Sequence, residues 1–177
     1  MKNETTAHNL RILAVACLAI GAALGLAGSF VPSAALRGIL WGIDGTALVV
    51  AAAVLAVIFF KRGQDLVAAG YVVFAVGQGL VVSGSAMTLA AAAPSFGAGI
   101  ALWAAALVMI SVARVYPVIV RLLGFAAAVL FAITALSILG GGPLDALSKP
   151  LPFFAYPVFV ATMIGWIVTL LKKPVAV

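Results

Sequence analysis

Residues 38–60 read GILWGIDGTALVVAAAVLAVIFF, a run of 23 residues whose only charge is Asp44. At ~1.5 Å of rise per residue, a helix of this length crosses the ~30 Å hydrocarbon core of a bilayer. From Ala47 to Phe60 the run is apolar on every side, whereas a transmembrane barrel strand alternates apolar and polar residues. The stretch therefore reads as a membrane-spanning helix. Working outward, five similar stretches run from Ile12 to Val31, Leu66 to Leu89, Gly97 to Tyr116, Val118 to Leu139 and Leu151 to Leu171. The expected fold is all-α: a polytopic membrane protein, a six-transmembrane-helix bundle with short loops, one transmembrane domain over residues 1–177.

Composition excludes the alternatives. The chain is 66% hydrophobic and 8% charged, with a mean hydropathy of +1.33, far outside the range of soluble domains. Six crossings use nearly all of the 177 residues and leave no segment able to bury a soluble core. The first span exceeds the apolar region of a signal peptide and is expected to remain. Cys17 follows Ala14-Val15-Ala16 but lies too close to Arg11 for a lipoprotein signal, and reads as a small packing residue.

Basic residues set the expected orientation, because Lys and Arg are retained in cytoplasmic loops. Lys2, Arg11, Lys61, Arg62, Arg114, Arg121, Lys172 and Lys173 fall on one side of the six-span plan, and only Arg37 and Lys149 on the other. Both termini are thus expected in the cytoplasm, in what reads as a bacterial inner (cytoplasmic) membrane. The net charge of +6 is explained by anionic lipid headgroups and needs no nucleic acid. Trp41, Trp103 and Trp166 fall near helix ends, as interfacial aromatic belts do. Phe153, Phe154, Tyr156 and Phe159 are denser than anchoring requires and surround Pro157, so a kinked aromatic entrance is expected there, partly covered by the polar segment from Gly140 to Pro150.

Small residues indicate packing. Gly70, Gly77 and Gly84 recur every seven residues, with Gly63 just before them, and Ala14, Cys17, Gly21, Gly25 and Gly28 form a second stripe. Both are expected to admit close helix contacts within the bundle; a homo-oligomer or a membrane protein partner is the sharper reading of the first-helix stripe.

Intramembrane ionisable residues are functional candidates by default. Asp44 lies about 10 Å into its helix from Gly38. Gln78 reaches a similar depth, followed outward by Ser83, Ser85 and Thr88, with Thr134 and Ser137 on the fifth helix and Tyr156 on the sixth. The opposite halves, Leu48 to Phe60, Leu66 to Val76 and Leu122 to Phe131, carry almost no polar atom. Such one-sided polarity suits a pocket open to the non-cytoplasmic side above an apolar plug, with Asp44, Gln78, Tyr156, Thr134, Ser85 and Trp41 as ligand-binding candidates for a small molecule or ion. Arg37, Trp41 and Asp44 also share a helix face, so an Arg37–Asp44 pair is the structural alternative.

Enzyme chemistry is not indicated. His8 is the single histidine and lies in the polar amino-terminal tail, so no catalytic, metal or cofactor set is expected. Phosphate and dinucleotide glycine patterns are absent. Two functions follow: binding or helping to transport a small solute, or a non-transporting scaffold or accessory subunit docked through glycine-rich faces. In size and span count the chain resembles the substrate-binding subunits of modular vitamin importers, a likeness that assigns no family.

The charge bias makes a topological prediction. Reporter fusions after Gln64 and after Val177 should read cytoplasmic and a fusion near Pro94 should read the opposite side; a cytoplasmic signal at Pro94 would overturn the six-span plan.

Overall fold

The computed structural model describes residues 2–84, 87–142 and 151–172, with the side chains of 2–4, 89–90 and 151–154 excepted. The described chain forms six helices: α1 (Lys2–Gly28), α2 (Ala34–Lys61), α3 (Asp65–Ser83), α4 (Leu89–Val112), α5 (Val118–Leu139) and α6 (Leu151–Lys172). Each contains a segment long and apolar enough to cross a membrane. Their outward faces carry large apolar side chains such as Phe60, Ile119, Val129 and Leu136, a surface that suits lipid rather than water.

Short turns force neighbouring helices to run antiparallel. Ser33 caps α2, its hydroxyl accepting from the Leu36 amide at 3.3 Å. The α2–α3 turn closes through Gly63 at φ +65°, a conformation that favours glycine, while the Gln64 amide bonds back to the Phe59 carbonyl at 3.0 Å. Each helix packs on its neighbours in sequence, and α6 returns to α1, closing a six-membered ring. One end of this ring carries the start of α1, the α2–α3 and α4–α5 turns and the end of α6. With Arg11, Lys61, Arg62, Arg114, Arg121 and Lys172, it is the basic end of the bundle.

Expected boundaries differ in the first, third and fourth spans; the first helix runs from Lys2 to Gly28 rather than from Ile12 to Val31. The third span ends at Ser83 rather than Leu89, and Thr88 caps α4, accepting from the Ala91 amide at 3.4 Å. The fourth helix therefore starts before Pro94, which lies inside it, and ends at Val112 rather than Tyr116. Ser85, Lys149 and Lys173 fall outside the described residues, as does the 143–150 part of the segment expected to cover the entrance.

The ring is filled by aromatic side chains. Phe159 is fully buried and lies 5.5–6.0 Å, centroid to centroid, from Phe74, Trp103, Phe131, Tyr156 and Trp166. From Trp166 the column continues to Tyr71 at 5.4 Å and Tyr116 at 6.0 Å, and both tyrosines meet Phe59. Trp103 and Trp166 are thus core residues, 4% and 1% exposed, and not interfacial anchors. A helix that is apolar all round gives no sign of which face turns inward, so the bulkiest rings take the space where they gain most dispersion contact. Each such pair adds ~0.5–1.5 kcal/mol beyond area burial.

The glycine stripe of α3 faces α4. A side chain at Gly77 would stand 2.7 Å from the Gly99 carbonyl and 3.0 Å from Trp103, and Gly99 meets the Gly77 carbonyl at the same 2.7 Å. Gly70 and Gly84 meet Ile110 and Ser95 at 2.8 and 2.9 Å. Backbone lies against backbone along this seam.

Gly77→Leu should therefore cost ~1–3 kcal/mol or more, as overpacking does, whereas Val76→Leu, at a position 55% exposed, should be nearly neutral. Thermal unfolding of the two purified variants in detergent checks this; equal midpoints would refute the close seam.

Candidate functional site

The small stripe of α1 lets side chains from two other helices reach one point. A Cβ on Gly28 would collide with the Trp41 indole, one on Gly21 with Leu48, and one on Gly25 with the Tyr156 hydroxyl while standing 2.9 Å from Asp44 Oδ2. All three glycines face inward, onto α2 and α6. The stripe is occupied within the bundle.

At that point Asp44 is 6% exposed. Tyr156, arriving on α6, donates its hydroxyl to Asp44 Oδ1 at 3.3 Å, and the Gly21 carbonyl lies equally far from the same hydroxyl. A hydroxyl has one proton, so the two acceptors share or compete for it. Trp41, one helical turn before Asp44, donates its indole N–H to the Gly25 carbonyl at 3.3 Å. That carbonyl also accepts from Ser29 at 3.2 Å. The cluster joins α1, α2 and α6.

Arg37 does not join it. Its guanidinium lies 5.8 Å over the Trp41 ring centroid and points at the Pro32 carbonyl, 3.5 Å away. Among the described residues no ion pair links Arg37 to Asp44, and Tyr156 is the one hydrogen-bond partner of the Asp44 carboxylate. Arg37 stacks on Trp41, and the expected Arg37–Asp44 pair is not formed among the described residues.

Other candidates sit apart from the carboxylate. Gln78 on α3 is 2% exposed and packs across Gly45, with Nε2 3.0 Å from where a Cβ would stand. Its Oε1 is buried without a hydrogen-bond partner among the described residues. The indole nitrogen of Trp103 is equally orphaned. Each such group costs ~1–3 kcal/mol unless something meets it. Thr134 on α5 satisfies itself by bonding to the Leu130 carbonyl at 2.8 Å. Ser85 lies outside the described residues.

The arrangement thus brings Asp44, Tyr156 and Trp41 together and shows no bond from them to Gln78 or Thr134. Sequence reasoning misses Gly21 and Gly25 as walls of the site, although their spacing singles them out as packing positions. It also misses the buried Trp103 nitrogen. Among the described residues no three His, Cys, Asp or Glu side chains come together as a metal cluster. What the site offers is a buried carboxyl group with a neutral hydroxyl donor beside it, chemistry that suits a proton, a cation or a protonated solute.

No protein-family model matches the chain, and neither a curated protein nor a solved structure is significantly similar to it. The geometry around Gly25 is testable directly. Gly25→Ala should push the Tyr156 hydroxyl off Asp44, and Tyr156→Phe should remove that donor; the phenyl ring loses the nearest colliding atom, the oxygen, while its Cζ still stands 2.5 Å from the added Cβ, so the clash is relieved in part and the double variant should unfold at a higher temperature than the summed single penalties imply. Strict additivity would show that Gly25 and Tyr156 do not share this space.

Proposed function

We propose that the protein is a membrane-embedded binding or transport component that takes a small cation, a proton or a protonated solute at Asp44 from the non-cytoplasmic side, rather than an enzyme. Tyr156 positions the carboxylate, Trp41 ties the helix turn before it to α1, and Gln78 lies on the neighbouring α2–α3 face. In this reading the basic end faces the cytoplasm, which the bias of Lys and Arg supports, and the membrane is a bacterial cytoplasmic one. One observation carries this reading: Asp44 is buried, is unpaired with Arg37, and accepts a single 3.3 Å hydrogen bond among the described residues. A carboxylate deep in a span costs ~2.5–3.5 kcal/mol on insertion scales. One charge-assisted hydrogen bond returns ~1.5–3 kcal/mol at good geometry, and at 3.3 Å the lower end applies. An exchangeable positive partner supplies the remainder.

The aromatic column argues for binding, or for transport with a conformational change or a partner, over an open channel. A second reading, an accessory subunit docked in the membrane, draws support from another face. Gly38 and Gly42, four residues apart on α2, have open space for 4 Å around the point where a Cβ would stand, which leaves a small-residue patch open to a neighbouring helix.

The test is a thermal shift series on detergent-purified protein across monovalent cations and protonated amines. Wild type should show a concentration-dependent rise in Tm with at least one of them. Asp44→Asn should stay folded and give no rise, and Asp44→Asn with Arg37→Gln should behave like Asp44→Asn alone. A response that survives Asp44→Asn, or a double variant with full function in a complementation assay, would overturn the Asp44 site and leave the accessory reading ahead.

A further inference from the structure

A second site lies at the other end of the molecule, beyond the aromatic column. A cleft of about 350 Å³ opens at the basic end, lined among others by Phe59, Arg62, Gln64, Arg114, Tyr116 and Thr169. It is framed by the α2–α3 turn, the α4–α5 turn and the last turns of α6.

Its walls are fixed. Tyr116, on the α4–α5 turn, shares a 2.6 Å hydroxyl-to-hydroxyl hydrogen bond with Tyr71 of α3, and both are buried. That bond ties the turn bearing Arg114 to the body of the bundle. Arg62 lies with its guanidinium 5.6 Å from the Phe59 ring centroid, which parks it on the inner wall. Thr169 donates its hydroxyl to the Gly165 carbonyl at 2.7 Å. Arg121, by contrast, is committed elsewhere, donating to the carbonyls of Ser111 and Val112 at the end of α4.

The side chains that line the cleft include two guanidinium groups and an amide. Among the described residues, Arg62 and Arg114 make no ion pair or hydrogen bond with their side chains, and the Gln64 side chain makes no capping bond to α3. Among the described residues no carboxylate lines the cleft. Partial burial pulls the Arg62 guanidinium below its ordinary value, with Tyr116 opposing and nearby Arg11 adding to the shift. An unpaired, partly desolvated guanidinium is stabilised by an anion, and two guanidinium groups with an amide match the oxygens of a phosphate. Arg62 and Arg114 also stand one and two residues beyond the ends of α2 and α4, the level at which a headgroup lies beside a spanning helix.

We propose that this cleft binds a phosphate-bearing anion, presented either as the headgroup of an anionic lipid or as a soluble phosphate. The site is separate from Asp44 and does not rest on its role. Purified protein is titrated in detergent with inorganic phosphate, and in parallel with phosphatidylglycerol in mixed micelles against zwitterionic phosphatidylcholine, with chloride at matched ionic strength as the reference. At least one probe should raise the Tm of wild type beyond chloride. Arg114→Gln, at an exposed position that does not endanger folding, should weaken that response roughly tenfold in concentration, and Arg62→Gln with Arg114→Gln should remove it. Lys172→Gln, at the same end but outside the cleft, and Asp44→Asn should both retain it. A response to phosphatidylglycerol alone identifies the headgroup, to phosphate alone a soluble ligand, and to both the phosphate group itself. No response beyond chloride, an unchanged response in Arg114→Gln, or equal losses in Arg114→Gln and Lys172→Gln would overturn the proposal.

Discussion

A carboxylate at membrane depth has to be answered by some other group, and the missing side chain of Gly25 is what permits the answer. With any Cβ at that position the Tyr156 hydroxyl could not occupy its place beside Asp44. The same absence lets α6 close against α1, so the ring of helices and the polar cluster depend on one vacancy. Gly21 and Gly28 extend it along α1, one admitting Leu48 and the other Trp41. Packing and polarity are solved together, because in lipid small residues provide the close contact that the hydrophobic effect provides in water.

Below that cluster the bundle changes character. Polar side chains such as Thr162 and Thr169 turn back onto carbonyls of their own helices, which leaves the interior to aromatic rings. The column that begins at Tyr156 ends at Tyr116, so the two ends of the molecule are joined by edge-on and tilted ring contacts. The carboxylate cluster stands above one end of this column and the guanidinium-lined cleft below the other.

Much of this plan is legible in the sequence, and the gaps have physical causes. The fifth span reads to the residue, Val118 to Leu139, because Pro117 and Gly140 punctuate it at both ends. The third and fourth spans misread between Leu80 and Leu89, where Ser83, Gly84, Ser85 and Thr88 are interleaved with apolar residues; the Thr88 hydroxyl that caps α4 looks there like another polar lining group. The glycine stripes announce close contacts, yet not which helix fills them. Asp44 and Tyr156 lie 112 residues apart in the chain, a distance over which periodicity says nothing. Trp103 and Trp166 suggest an interface because a ring near a helix end fits a belt as readily as a core, and only the closed ring of helices decides between them.

The central position of Phe159 has a consequence for speed. With five aromatic rings around it and no accessible surface, it cannot change rotamer alone as an exposed side chain does within nanoseconds. Any passage along the axis requires several rings to move in concert with the helices that carry them, a collective rearrangement of the microsecond-to-millisecond class. Motion along the axis of the bundle is therefore tied to the pace of the protein's own rearrangement rather than to that of free diffusion.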